Sequence, residues 1–163
     1  MKRITIISAA VAALALLAGC KSEPKLNTIK CDDYQDMEAY FAYAPGCRMI
    51  VSGHRGGVAP GIPENSIAAF EHTLSQMPSF FEIDPRMTKD SVIVLMHDSD
   101  LSRTSNGTGH VKDYTYAELQ TFNLKDRWGK ETKYKIPKVE DVIKWSQGKT
   151  ILNFDKKDVT RDV

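Results

Sequence analysis

Cysteine is scarce in this chain, with three in 163 residues, at positions 20, 31 and 47. Neither Cys31 nor Cys47 has a Cys or His partner at ligand spacing, which argues against a structural zinc module. Charge of one sign is equally short. Twenty-two Lys and Arg stand against 21 Asp and Glu, a formal charge of +1, so no basic surface argues for a nucleic-acid partner. No internal repeat and no low-complexity segment is present. No apolar run reaches the roughly 18 residues a transmembrane helix needs.

The apolar run over residues 4–18 comes nearest, and its flanks give it another meaning. Lys2 and Arg3 precede it, and Leu17-Ala18-Gly19-Cys20 closes it. A charged start, a run of this length and small residues at its end read as a secretory signal. The ending resembles a bacterial lipobox, which implies that Cys20 is the lipidated first residue of the mature protein. The expected layout is a signal peptide over 1–19 and a tether and N-terminal segment over 20–47. The expected location is outside the cytoplasm, on a bacterial membrane held through the N-terminal lipid, periplasmic or at the cell surface. Loss of Lys2 and Arg3 would move the charge from +1 by two units to −1. Export places Cys31 and Cys47 where disulfides persist, and spacing alone leaves a bridge and two free thiols equally open.

Beyond the leader, short apolar runs alternate with helical periodicity. The stretch from Tyr34 to Tyr43 suits a short helix with Met37, Tyr40 and Phe41 on one side. Arg48-Met49-Ile50-Val51-Ser52 reads as a first strand, broken by Gly53-His54-Arg55-Gly56-Gly57. Ile67, Phe70, Leu74 and Met77 recur at helical spacing behind Glu64-Asn65-Ser66, and Pro78 stops that helix. Phe80-Phe81-Glu82-Ile83-Asp84 forms a second strand, which Pro85 ends because it donates no ladder hydrogen bond. The run from Val92 to Met96 is Val/Ile-rich, as expected of a parallel strand covered on both faces. Residues 98–113 are a long polar loop, and Thr115-x-x-Glu118 is a capping box opening a short helix. Pro137 is expected in the first turn of a helix carrying Val139, Val142, Ile143 and Trp145 and ended by Gly148. Ile151-Leu152-Asn153-Phe154-Asp155 is a fourth strand.

This alternation predicts an α/β fold with a parallel sheet. The residues with chemistry to offer (His54, Glu82, Asp84, His97 and Asp155) all fall at strand C-terminal ends, the rule for (β/α)8 barrels. Four strand–helix units are half of such a barrel, which typically needs about 250 residues. The expectation is therefore the N-terminal half of a barrel over residues 48–163, truncated relative to a complete one. Strand alternation puts Glu82 and Asp84 on one face, where two carboxylates repel unless a cation lies between them. Oxygen-only ligands favour calcium or magnesium over zinc. Two histidines with pKa values near working pH suit proton transfer. His72 and His110 read as surface or loop residues, and Asn106-Gly107-Thr108-Gly109 lacks the spacing and lysine of a phosphate loop.

Five motifs then occur in order: His54-Arg55-Gly56-Gly57, Pro63-Glu64-Asn65-Ser66, Glu82-Ile83-Asp84, His97-Asp98 and Leu101-Ser102-Arg103-Thr104-Ser105-Asn106-Gly107. Together they resemble the glycerophosphodiester phosphodiesterase family, over the N-terminal half of its domain. The resemblance implies metal-dependent hydrolysis of glycerophosphodiesters to an alcohol and glycerol 3-phosphate. It makes His54 and His97 the acid/base pair and Arg55 a phosphate contact. Glu82 and Asp84 become ligands of a divalent cation, calcium or magnesium, with Glu64 at the edge of the metal site and Asn65 arranging it. The family's third carboxylate, in a Glu-x-Lys pattern, is matched by Asp155 with one methylene less, and Lys157 keeps the substrate-side lysine. Two other readings stand beside this one. A related barrel would release a cyclic phosphate by attack of a substrate hydroxyl, and an incomplete barrel would be an inactive fragment or a lipoprotein that binds the head group.

Overall fold

The computed structural model describes residues 25–47 and 49–155. The expected signal peptide, the expected lipidation site Cys20, and Lys157 lie outside those residues. The described elements run α1 (Tyr34–Phe41), β1 (Ser52–His54), α2 (Ile67–Gln76), β2 (Phe80–Ile83), β3 (Pro85–Met87), β4 (Ile93–Leu95), α3 (Tyr116–Leu119), α4 (Val139–Ser146) and β5 (Leu152–Phe154).

A parallel sheet of order β1-β2-β5 carries the architecture. Its register aligns His54 with Glu82, and Glu82 with Asn153. Alternation along β2 turns Phe81 and Ile83, both fully inaccessible, to one side. There they pack with Phe70 and Leu74 of α2, Leu95 of β4, and Val139 and Val142 of α4. The other side of β2 carries Phe80 and Glu82, both half-buried. Gly53 in β1 is required by this packing. A Cβ there would stand 2.6 Å from Cδ1 of Phe81, closer than any real contact.

Local chemistry accounts for the helices. Ser66 caps α2 by accepting from the Ala69 amide at 3.2 Å. The capping box of α3 closes in both directions between Thr115 and Glu118. Helix α4 starts later than the sequence suggests. Lys138 is its N-cap, so Pro137 stands outside the helix instead of in its first turn. There its carbonyl accepts from the Leu95 amide at 3.1 Å. The first strand is also displaced, beginning at Ser52 where the expected strand ended.

The main correction concerns residues 85–98. The Val/Ile-rich run is not a parallel strand of the sheet. Its β4 pairs antiparallel with β3 in a separate two-stranded hairpin, Pro85 opposite Leu95 and Met87 opposite Ile93. Two physical reasons combine. Parallel pairing needs a crossover of a dozen or more residues, and only residues 88–92 connect these strands, with Ser91 in the left-handed region at φ 61°. Pro85 meanwhile has no N–H to continue the ladder of β2. The parallel sheet therefore has three strands among the described residues, not four.

The hairpin and the loop behind it have their own core. Val94, Met96, Leu101, Val111, Leu119, Leu124 and Ile136 form a second buried cluster, so the polar loop over residues 98–113 is anchored by apolar side chains. On the N-terminal side, Asn27 bonds through its amide and side chain to the Leu74 carbonyl, each at 2.8 Å, and the Ile29 amide bonds to the Lys149 carbonyl. Residues 27 and 29 are thus tied to the body of the domain. Cys31 and Cys47 are free thiols. Among the described residues no helix is long and apolar enough to cross a membrane.

Candidate metal and phosphate site

The register that aligns His54 with Glu82 sets the site, because paired residues on neighbouring strands share a face. Asp84 lies two residues beyond Glu82, and Asp155 two beyond its neighbour Asn153. One carboxylate oxygen from each of Glu82, Asp84 and Asp155 comes within 4.8 Å of the others. The Asp155 amide is held by the Ile83 carbonyl at 2.9 Å, which fixes that acid at the sheet's end.

This crowding leaves a signature. Burial, and then the neighbouring Asp84, push the Glu82 carboxyl above its ordinary range, with Asp155 adding to the effect and His54 opposing it. The buried Oε2 of Glu82 accepts no hydrogen bond, and Nε2 of His54 stands 3.8 Å away. Three acids with an orphaned buried oxygen are a poor arrangement for a bare protein and a good one for a hard divalent cation. The residues present fit such an ion.

A strained turn behind β1 supports the acids. Arg55 and Asn65 both have φ 53°, a left-handed geometry that asparagine tolerates better than most residues. The Asn65 amide donates to the Arg55 carbonyl at 2.8 Å, and Arg55 N donates to the Glu82 carbonyl at 3.0 Å. Asn65 then grips Asp84 twice. Its Nδ2 donates to Oδ2 of Asp84 at 2.7 Å and its Oδ1 accepts from the Asp84 amide at 3.3 Å. Asn65 is buried, and its geometry suits the arranging role expected for it. The Arg55 guanidinium pairs with Asp84 and with Glu64, both at 3.3 Å.

Glu64, expected at the edge of the metal site, shares the Arg55 guanidinium with Asp84 of the cluster. Its oxygens accept from Nη1 and Nη2 of Arg103 at 3.2 and 2.8 Å, and Oε1 also from Arg55. It stands among arginines, outside the three-acid cluster. Nε of Arg103 bonds Oδ2 of Asp98, and Oδ1 of Asp98 meets Nδ1 of His97 at 2.6 Å. Bonding to Arg103 first, and to His97 second, holds the Asp98 carboxyl well below its ordinary range, at about 2. The His97 main chain is held as well. Arg86 donates to its carbonyl from Nε at 3.0 Å and from Nη2 at 2.6 Å.

Sequence reasoning missed the structural parts played by Arg103 and Arg86. Arg103 lay in a motif whose pattern gave no partner 39 residues away. Arg86 follows Pro85, where the strand was expected to end, and that hid its place in a strand beside His97.

With this geometry in view, the comparisons with known proteins are consistent. The model of the glycerophosphoryl diester phosphodiesterase family matches residues 54–159. A putative glycerophosphodiester phosphodiesterase of Bacillus subtilis is 39% identical over 97 residues, covering 59% of this chain and 40% of that protein. A crystal structure of a glycerophosphoryl diester phosphodiesterase from Parabacteroides distasonis is 54% identical, with a TM-score of 0.83 over 85% of this chain and 48% of that one. A phosphodiesterase from Oleispira antarctica in complex with the product sn-glycerol-3-phosphate is 29% identical, with a TM-score of 0.52 over 67% of this chain and 44% of that one. The chain thus spans less than half the length of each. The matched family model covers the turn after β1, all three acids of the cluster, the hairpin and β5, and the chain belongs to the glycerophosphoryl diester phosphodiesterase family.

Proposed function

We propose that this chain supplies the cation-binding and proton-transfer residues of a phosphodiesterase hydrolysing glycerophosphodiesters to an alcohol and glycerol 3-phosphate. The three-acid cluster facing His54 carries the reading. Glu82, Asp84 and Asp155 would hold calcium or magnesium, which when bound offsets the charge gathering on the phosphoryl oxygens. Arg55, already beside Asp84, would meet the phosphate as a cation. Asp98, ionised at any working pH, accepts the hydrogen bond of Nδ1–H of neutral His97 and so leaves Nε2 with a free lone pair. That suits His97 to accept a proton from the attacking nucleophile. His54, about 70% exposed at the strand end, is then the group that protonates the leaving alkoxide. The surrounding barrel, of (β/α)8 type in this reading, would complete the substrate pocket and, with it, the choice of alcohol.

The test is a phosphorus NMR assay on glycerophosphocholine and related diesters. Turnover should vanish on chelation, return with calcium or magnesium, and yield glycerol 3-phosphate. Chelator-resistant turnover would remove the cation from the reading, and a cyclic phosphate product would move the nucleophile onto the substrate. His54→Ala and His97→Ala should each abolish hydrolysis in a folded protein.

The lipid anchor belongs to the same proposal. The Leu17-Ala18-Gly19-Cys20 stretch supports export and membrane attachment through Cys20. Labelled fatty acid should enter the wild-type protein in a bacterial host and not the Cys20→Ser variant. Equal labelling of both would sink the idea.

A further inference from the structure

We propose that Arg103 is a positioning residue for His97, acting through Asp98, and that Glu64 couples this pair to Arg55. The proposal rests on the reading of His97 as a proton-transfer group. A carboxylate bonded to a ring through one oxygen can still turn about its own Cβ–Cγ bond and let the ring swing. Asp98 lacks that freedom, because its second oxygen is taken by Nε of Arg103. The guanidinium in turn cannot rotate without losing Glu64, which takes Nη1 and Nη2 at 3.2 and 2.8 Å. Glu64 Oε1 also receives Nη1 of Arg55 at 3.3 Å. The result is an unbroken ionic chain from Arg55 through Glu64, Arg103 and Asp98 to His97.

Magnitudes favour orientation over stability as the use of Arg103. Its side chain is 49% exposed, and ion pairs so exposed contribute little to folding. Yet it spends three N–H groups on two carboxylates from different segments. The planar fork is what permits this. A lysine ammonium is a point charge and could serve one carboxylate at a time. Asp98, held anionic, keeps the proton of neutral His97 on Nδ1. Released from Arg103, it is free to rotate, and the ring samples its other tautomer.

The experiment uses the full chain labelled with 15N at histidine, read without substrate at a pH where the His97 ring is neutral. Wild type should show the proton on Nδ1. Arg103→Gln should show a mixture of the two tautomers, and Asp98→Asn, whose amide can present N–H to the ring, should shift the balance further toward Nε2–H. Unfolding midpoints close to wild type would confirm that the Arg103→Gln fold is intact; Glu64→Gln, which frees the same guanidinium, serves as the second variant and should also mix the tautomers. A wild-type tautomer in both Arg103→Gln and Glu64→Gln overturns the proposal, whatever the rates do. In the hydrolysis assay Arg103→Gln should lose about 10–100-fold in kcat at unchanged KM, the scale of a small misplacement of a reacting group. Arg103→Lys should remain within a few-fold of Arg103→Gln. If wild type turns over no glycerophosphodiester, the functional reading fails while the tautomer measurement still decides this one.

Discussion

Asn65 shows how much one side chain can hold. It occupies a left-handed backbone position and contributes two bonds that orient Asp84. Asn65→Ala should cost about 2–4 kcal/mol, combining the left-handed strain of an L-residue with a buried carboxylate left short of donors. Asn65→Gly relieves the backbone and keeps the second loss, so urea unfolding of the pair should separate the two; equal losses would deny the backbone a share. Asp98 gives a pH prediction with a definite sign. Its carboxyl falls from the ordinary 3.8 to about 2 on folding, first through Arg103 and then through His97. A depressed carboxylate stabilises the fold above its unfolded value, and that contribution fades as pH falls from near 4 toward 2. Wild type should therefore lose more stability than Asp98→Asn across that window in acid unfolding. Parallel curves would mean that the pairing is absent in solution.

Among the elements, the hairpin is where the sequence was hardest to read. Strand β2, helix α2 and the capping box of α3 were legible because each rests on local chemistry. The partner of β4 was not legible from its apolar composition, which suits a doubly covered parallel strand and a buried hairpin strand alike. The five residues between β3 and β4 were the better clue, since they are too few for a crossover. The gathering of the three acids was legible because strand alternation puts Glu82 and Asp84 on one face. Arg103 was not, because an arginine's partners depend on tertiary folding. The loop that carries it stands on Leu101, which is fully buried and hydrogen-bonded by its amide to the Gly109 carbonyl. Leu101→Ala should cost about 2–5 kcal/mol and should lower kcat well beyond the small change in KM. A variant equally destabilised but fully active would detach this loop from catalysis.

At the scale of the molecule, the acid cluster is a place where stability would be traded for ion binding under the proposed function. Repulsion and burial raise the Glu82 carboxyl, so in chelator Glu82→Gln should unfold at a higher temperature than wild type. Wild type should gain stability on adding millimolar calcium or magnesium, since a ligand for the native state alone shifts the equilibrium, and Glu82→Gln should gain far less. Differential scanning fluorimetry of both proteins with and without each ion checks the pair of signs. A wild type indifferent to both ions would leave the cluster without its cation.

The two apolar clusters divide the work unevenly. Phe81 and Ile83, in the first, flank the acids that gather at the end of β2, whereas His97 follows Met96 of the second. In the proposed reading, ion capture and proton transfer would thus sit on separate foundations, strapped together by salt links and by the Arg86 grip on the His97 carbonyl. Under the proposed function, damage along that seam would have a distinctive consequence: a protein that still takes up its cation at full strength and yet turns over slowly, because the two halves of its chemistry no longer keep step.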